Sequence, residues 1–139
     1  MSSCQLPVAS NSWRGAFLGR SYKDLVAWNK SMDLVTAIYR STGAFPKDEL
    51  FGITSQLRRA AVSIPSNIAE GQGRLSGGEF RHFLGQARGS LMEVETQVQI
   101  AHNLGYLQED SLGVLLEACA EVGRILNGLI ASISKPSDT

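Results

Sequence analysis

Residues 76–101 read Ser-Gly-Gly-Glu-Phe-Arg-His-Phe-Leu-Gly-Gln-Ala-Arg-Gly-Ser-Leu-Met-Glu-Val-Glu-Thr-Gln-Val-Gln-Ile-Ala. Ser76 and Glu79 stand at the spacing of a capping box. In that device the hydroxyl accepts from a backbone N–H three residues on, and the carboxylate reaches back to the cap's own N–H. Phe80, Phe83, Ala87, Leu91, Val94, Val98 and Ala101 then recur at three- and four-residue steps, so they share one helix face. Gly105 ends the pattern, and the spacing predicts a helix over about residues 77–104.

The same period runs through three other segments. Ser21 and Asp24 repeat the capping-box spacing, and Leu25, Trp28, Met32, Val35 and Tyr39 make the core stripe of a helix over about residues 21–42, which Thr42-Gly43 ends. After Phe45-Pro46, a helix starting between Lys47 and Ile53 carries Ile53, Leu57, Ala60, Ile64 and Ile68, and Gly71 closes it, giving about residues 48–70. Pro65 lies inside that pattern; it lacks a backbone donor and crowds the preceding turn, so a kink or a break is expected there. From Glu109-Asp110 onward, Leu112, Leu115, Cys119, Val122, Leu126, Leu129 and Ile133 predict a last helix over about residues 109–134, before Pro136. No alternating period-two segment points to a strand. Four amphipathic helices joined by short links predict an all-α, up-and-down antiparallel four-helix bundle, with the second helix kinked at Pro65. Residues 1–20 have no period and are rich in Ser and Gly, so they read as a loose tail that docks in part through Trp13, Phe17 and Leu18. Residues 136–139 form a second short tail.

At 139 residues the chain is one domain, long enough to bury a core without disulfides or metals. Thirteen basic and thirteen acidic side chains cancel, so no global attraction to nucleic acid or anionic membrane is expected. The charge is unevenly placed along the chain. Residues 56–88 carry five arginines against Glu70 and Glu79, whereas residues 89–139 carry seven acids against Arg124 and Lys135. Solvated helix faces explain this; so does a basic middle that meets something acidic, such as another copy of the chain. Cys119 falls on an apolar stripe and reads as a small core residue, and Cys4 lies in the tail. The first ten residues lack a signal peptide's basic start and apolar run, and no apolar stretch approaches the ~20 residues that span a bilayer. A cytoplasmic protein is expected.

Two polar stripes carry the candidate site. Gln56, Arg59, Ser63, Asn67 and Glu70 share a face of the second helix, and Glu79, His82, Gln86, Ser90, Glu93 and Gln97 share one of the third. Facing each other, they would form a hydrogen-bonded network or a polar pocket, with Arg59 and Glu93 as an ion pair. The link Gly71-Gln72-Gly73-Arg74-Leu75-Ser76-Gly77-Gly78 leads into a helix N-terminus beside Arg74, but no strand precedes it and it matches no phosphate-loop pattern. His82 and His102 are too far apart on one helix to chelate one ion, and no Glu-x-x-His repeat or nucleophile–base spacing is present. No metal, no cofactor and no enzymatic activity are expected. Gly85 and Gly89 lie one turn apart inside the third helix, and Gly113, Gly123 and Gly128 inside the fourth. Each costs about 0.5–1 kcal/mol relative to Ala, which suggests a close backbone approach within the bundle or between subunits. Ala27, Leu34 and Ile38 make a second apolar line beside the first helix's core stripe, and extra apolar surface of this kind predicts a subunit interface.

Residues 55–73, Ser-Gln-Leu-Arg-Arg-Ala-Ala-Val-Ser-Ile-Pro-Ser-Asn-Ile-Ala-Glu-Gly-Gln-Gly, are distinctive. With Asp24-Leu25-Val26-Ala27-Trp28, Glu79-Phe80, Gly89-Ser90-Leu91-Met92-Glu93 and Leu104-Gly105-Tyr106-Leu107, this motif resembles the bacterial four-helix-bundle proteins encoded by intervening sequences in 23S rRNA genes. Accessory variability proteins of diversity-generating retroelements are related to the same family. The resemblance covers about residues 22–134. It implies a four-helix bundle that accommodates Pro65 and assembles into a ring, a homopentamer; the retroelement relatives add nucleic-acid binding.

The expected function is a non-enzymatic oligomeric scaffold or adaptor, its glycines and second apolar line joining copies head to tail. The alternative is an RNA- or DNA-binding accessory protein whose Arg58, Arg59, Arg74, Arg81 and Arg88 contact phosphates.

Overall fold

The computed structural model describes residues 21–133. Four α-helices follow one another: α1, Val26–Thr42; α2, Ile53–Gln72; α3, Gly77–Asn103; and α4, Glu109–Ala131. No strand occurs among the described residues. Each helix packs on its neighbour in sequence, and α1 also packs on α4, which closes the bundle. Short links make neighbours antiparallel.

Local chemistry sets the boundaries. Ser76 caps α3 by accepting from the Glu79 N–H at 3.1 Å, as its spacing predicted. Ser21 and Asp24 form both bonds of a capping box, but around the 3₁₀ turn Tyr22–Asp24. Extended backbone at Leu25 separates this turn from α1, which therefore starts later than expected. A second 3₁₀ turn, Lys47–Glu49, precedes α2, where the Glu49 carboxylate accepts from the Ile53 N–H at 3.4 Å. Helix α2 continues unbroken through Pro65, which is buried. Gly105, at φ 85°, turns the chain out of α3.

One core runs the length of the bundle. Ile38, Ile64, Ile68, Phe80, Leu84, Leu91, Val94, Val98 and Leu126 are fully buried. Phe45 and Leu107 plug the end where the α1–α2 and α3–α4 links meet, and Tyr106 Oη donates to Glu49 Oε2 at 2.8 Å across those links.

The first helix corrects the sequence reading. Ala27, Leu34 and Ile38, expected as surplus interface surface, are at most 1 % exposed and form α1's contribution to the core. Met32 and Tyr39, expected in the core, are 39 % and 44 % exposed. The exchange has a physical cause. Ser31 and Thr42 complete the inward line, and each satisfies its hydroxyl on its own helix: Ser31 donates to the Trp28 carbonyl at 2.9 Å, Thr42 to the Ile38 carbonyl at 2.8 Å. Their burial therefore leaves no unpaired polar group. The outward line holds Trp28, Met32 and Tyr39, which tolerate partial exposure better than Leu34 and Ile38.

Candidate functional site

Between α2 and α3 the two polar stripes do meet. Asn67 Nδ2 donates to the Ser63 carbonyl at 2.8 Å and to Ser63 Oγ at 2.9 Å, and Ser63 Oγ shares a hydrogen with Ser90 Oγ at 2.8 Å. These three half-buried side chains tie α2 to α3 and leave each other satisfied. One turn away, Gln56, Arg59, Ala60, Ser63, Glu93 and Gln97 line an open pocket of about 220 Å³. Gln97 Nε2 reaches Gln56 Oε1 at 3.4 Å, while Gln97 Oε1 is buried without a partner. The expected Arg59–Glu93 ion pair is absent among the described residues; both side chains stand exposed at the pocket's mouth. An exposed pair gains about 0–1 kcal/mol and loses side-chain freedom, so its absence is inexpensive. Glu70 lies outside the pocket, paired with Arg74 at 2.7 Å.

The five arginines do not gather into one patch. Arg58 faces α1, where its Nε donates to Thr42 Oγ1 at 2.8 Å and its guanidinium lies 4.6 Å from the Tyr39 ring centroid. Arg74 bridges Glu70 and Glu79 over the Phe83 ring. Arg88 faces α4 and donates to Asn127 Oδ1 at 3.0 Å. Arg81 is two turns before Arg88 on the same side of α3, and its buried Nε lacks a partner. Arg59 stands alone at the α2–α3 pocket.

The glycines divide sharply. A Cβ at Gly71 would lie 2.7 Å from Phe83 Cβ, so this glycine lets α2 and α3 approach closely. Sequence reasoning took Gly71 only as a helix terminator. At Gly85, Gly89, Gly113 and Gly128 a Cβ would meet nothing within 4 Å, and at Gly123 it would meet Leu91 Cδ2 at 3.4 Å. Gly85 and Gly89 face outward on α3, where Met92 (49 % exposed) and Ile100 (43 %) continue their line at helical spacing.

An apolar groove was missed from sequence because its α1 residues Trp28, Met32 and Val35 read as core. Tyr22, Trp28, Met32 and Val35 on one side, and Val62, Pro65, Ser66 and Ala69 on the other, line a groove of about 310 Å³ between α1 and α2. The Tyr22 ring packs edge-on against Trp28, centroids 5.3 Å apart.

Reactive chemistry is sparse. Burial, with the nearby Glu95 carboxylate, pushes the Cys119 thiol up to about 12, so it carries no thiolate at neutral pH. His102 is held between the Leu107 carbonyl at 2.9 Å and Glu109 Oε1 at 3.1 Å, a brace for the α3–α4 turn. No group of three metal-ligating side chains occurs among the described residues. No helix among them is long and apolar enough to cross a membrane. Trp13, Phe17, Leu18 and Cys4, singled out in the sequence, lie outside the described residues.

Fold and surfaces together define a four-helix-bundle protein. The chain belongs to the 23S rRNA-intervening sequence protein family, whose model matches residues 23–128. It is similar in structure to a protein with unknown function from the S23 ribosomal protein family of Bacteroides thetaiotaomicron VPI-5482, with a TM-score of 0.72 at 22% identity, over 78% of this chain and 98% of that one. At that identity the likeness shows the fold. No curated protein matches the chain.

Proposed function

We propose that this chain is a non-enzymatic bundle protein that self-assembles as a scaffold or adaptor, with the outward face of α3 as the contact between copies. The observation that carries this is the pair Gly85 and Gly89: exposed, inside a helix, with room for a Cβ at each. Each costs about 0.5–1 kcal/mol that packing within the subunit does not require. A second backbone lying against α3 does require it, and Met92 and Ile100 on the same line supply apolar area for it. Ala27, Leu34 and Ile38 have no part in this contact, being inside the core. The homopentamer implied by the family resemblance fits the same reading.

Sedimentation velocity at micromolar concentration tests it. The expected mass is a multiple of the 15.0 kDa chain, five-fold for the ring. Gly85→Leu with Gly89→Leu should dissociate the assembly with helicity unchanged. A wild-type monomer sinks the proposal.

Support for the nucleic-acid alternative is smaller. Of the five candidate arginines, Arg58, Arg74 and Arg88 are engaged within the bundle, which leaves Arg59 and Arg81 on different seams. Filter binding to RNA and DNA at low salt decides it; no retention below about 100 μM, the weak end of nonspecific binding, excludes it.

A further inference from the structure

We propose that the chain's own N-terminal segment, residues 13–18, seats in the α1–α2 groove and completes the apolar face of the bundle. The groove is floored by buried Pro65 and walled by apolar side chains that the helices leave half-covered, Trp28 and Val35 from α1 and Ala69 from α2, with Met32 and Val62 each 39 % exposed at the rim.

The point at which residues 1–20 join the bundle selects the occupant. Tyr22 is itself a wall of the groove, stacked edge-on against Trp28. The capping box locks the turn there: Lys23 N donates to Ser21 Oγ at 3.1 Å, and Ser21 N donates to Asp24 Oδ2 at 3.2 Å. The preceding chain therefore leaves from the rim of the groove.

Residues 13–18 are Trp-Arg-Gly-Ala-Phe-Leu, three large apolar side chains in six positions. Leu18 is four residues from Tyr22, a reach of up to ~13 Å; Trp13 is nine away, a reach of up to ~30 Å. The groove between Trp28 and Val35 spans seven helical residues, about 10 Å. The segment thus covers the groove without full extension. A tethered segment also meets it at an effective concentration on the order of millimolar, which a second copy at micromolar concentration does not match.

The two tryptophans, Trp13 and Trp28, make this measurable. In a full-length Trp13→Phe protein, Trp28 emission reports on the groove alone. Adding Phe17→Asp and Leu18→Asp should shift that emission to longer wavelength and speed tryptic cleavage after Arg14 and Arg20 by about ten-fold. That factor is the least expected from losing the burial of one large apolar side chain. Ser66→Phe, which fills the groove from its exposed edge and adds no tryptophan, should speed cleavage likewise. Unchanged emission and cleavage in both variants overturn the proposal. So does an emission change that appears only with a change in native mass, because a second copy then occupies the groove. The Gly85→Leu/Gly89→Leu protein keeps the test separate from the assembly reading. It should lose mass while Trp28 emission and the cleavage rate stay as they were.

Discussion

Among single residues, Gly71 and Gly113 show how the same amino acid serves opposite ends. Both are helical. A Cβ at Gly71 would meet Phe83 Cβ at 2.7 Å and Phe80 Cδ1 at 3.1 Å, and the α2–α3 seam behind it is packed. Gly71→Ala should therefore destabilise the fold by about 1–3 kcal/mol, the usual range for overpacking. Gly113 is exposed with open space around it, so Gly113→Ala should stabilise by about 0.5–1 kcal/mol. Urea denaturation of the two variants gives the signs directly. Tyr106 supplies the pH dependence. Its hydroxyl donates to Glu49, and that bond, followed by burial and the Glu49 and Asp48 charges, raises its pKa above 10.0. The sign follows from the protonated phenol being the favoured form. Its stabilisation is complete below pH 10 and is lost as pH rises through the elevated value. A difference absorbance titration of wild type against Tyr106→Phe should place Tyr106 ionisation above the ordinary tyrosine range. Glu49→Gln should bring it down, since the amide oxygen accepts the bond less strongly than a carboxylate and no longer carries the charge that opposes the phenolate.

At the scale of the element, α1 explains how far periodicity carries. Two apolar lines lie side by side on this helix, and counting apolar residues at three- and four-residue steps favours the one with Trp28, Met32, Val35 and Tyr39. The fold buries the other, because Ser31 and Thr42 can turn their hydroxyls onto their own helix and pack as small side chains. Hydropathy counts them as polar; geometry does not. The other three helices carried one dominant line each, and their existence and order were readable. There the misses are single steps: Leu84 is fully buried, while Phe83 sits half-buried at the α2–α3 seam. Of the candidate site, the Ser63–Asn67–Ser90 link could be read from two facing polar stripes. The Arg59–Glu93 pair could not, since its formation turns on a small balance at the surface. The structure's choice of face on α1 is testable. Leu34→Ala should lower stability by about 2–5 kcal/mol, a buried leucine leaving a cavity, whereas Met32→Ala should cost well under that. Equal losses in urea melts would place both lines in the interior.

For the whole molecule, the sequence suggests a charged ring in which a basic middle meets a neighbour's acidic C-terminal third. The ion pairs formed within the subunit are mostly local to one segment. Glu121 pairs with Lys30 across α1 and α4 at 3.4 Å, Glu117 with Arg124 at 3.6 Å, and Glu109 with His102 at 3.1 Å. On the basic side Arg74 is held by Glu70 and Glu79. Among the described residues only Lys30–Glu121 joins the acidic third to another part of the chain, and no ion pair joins it to the basic middle, so the two regions keep their net signs. The proposed contact on α3 is instead apolar and glycine-lined, with Met92 and Ile100 on it. Apolar association is insensitive to screening, whereas contacts between exposed charges weaken as the Debye length falls from ~10 Å at 0.1 M to ~3 Å at 1 M salt. Native mass by light scattering should therefore be the same at 0.1 M and 1 M sodium chloride. The Gly85→Leu/Gly89→Leu protein should be small at both. An assembly that falls apart in high salt while the glycine variant stays intact would move the contact off α3 and onto the charged faces.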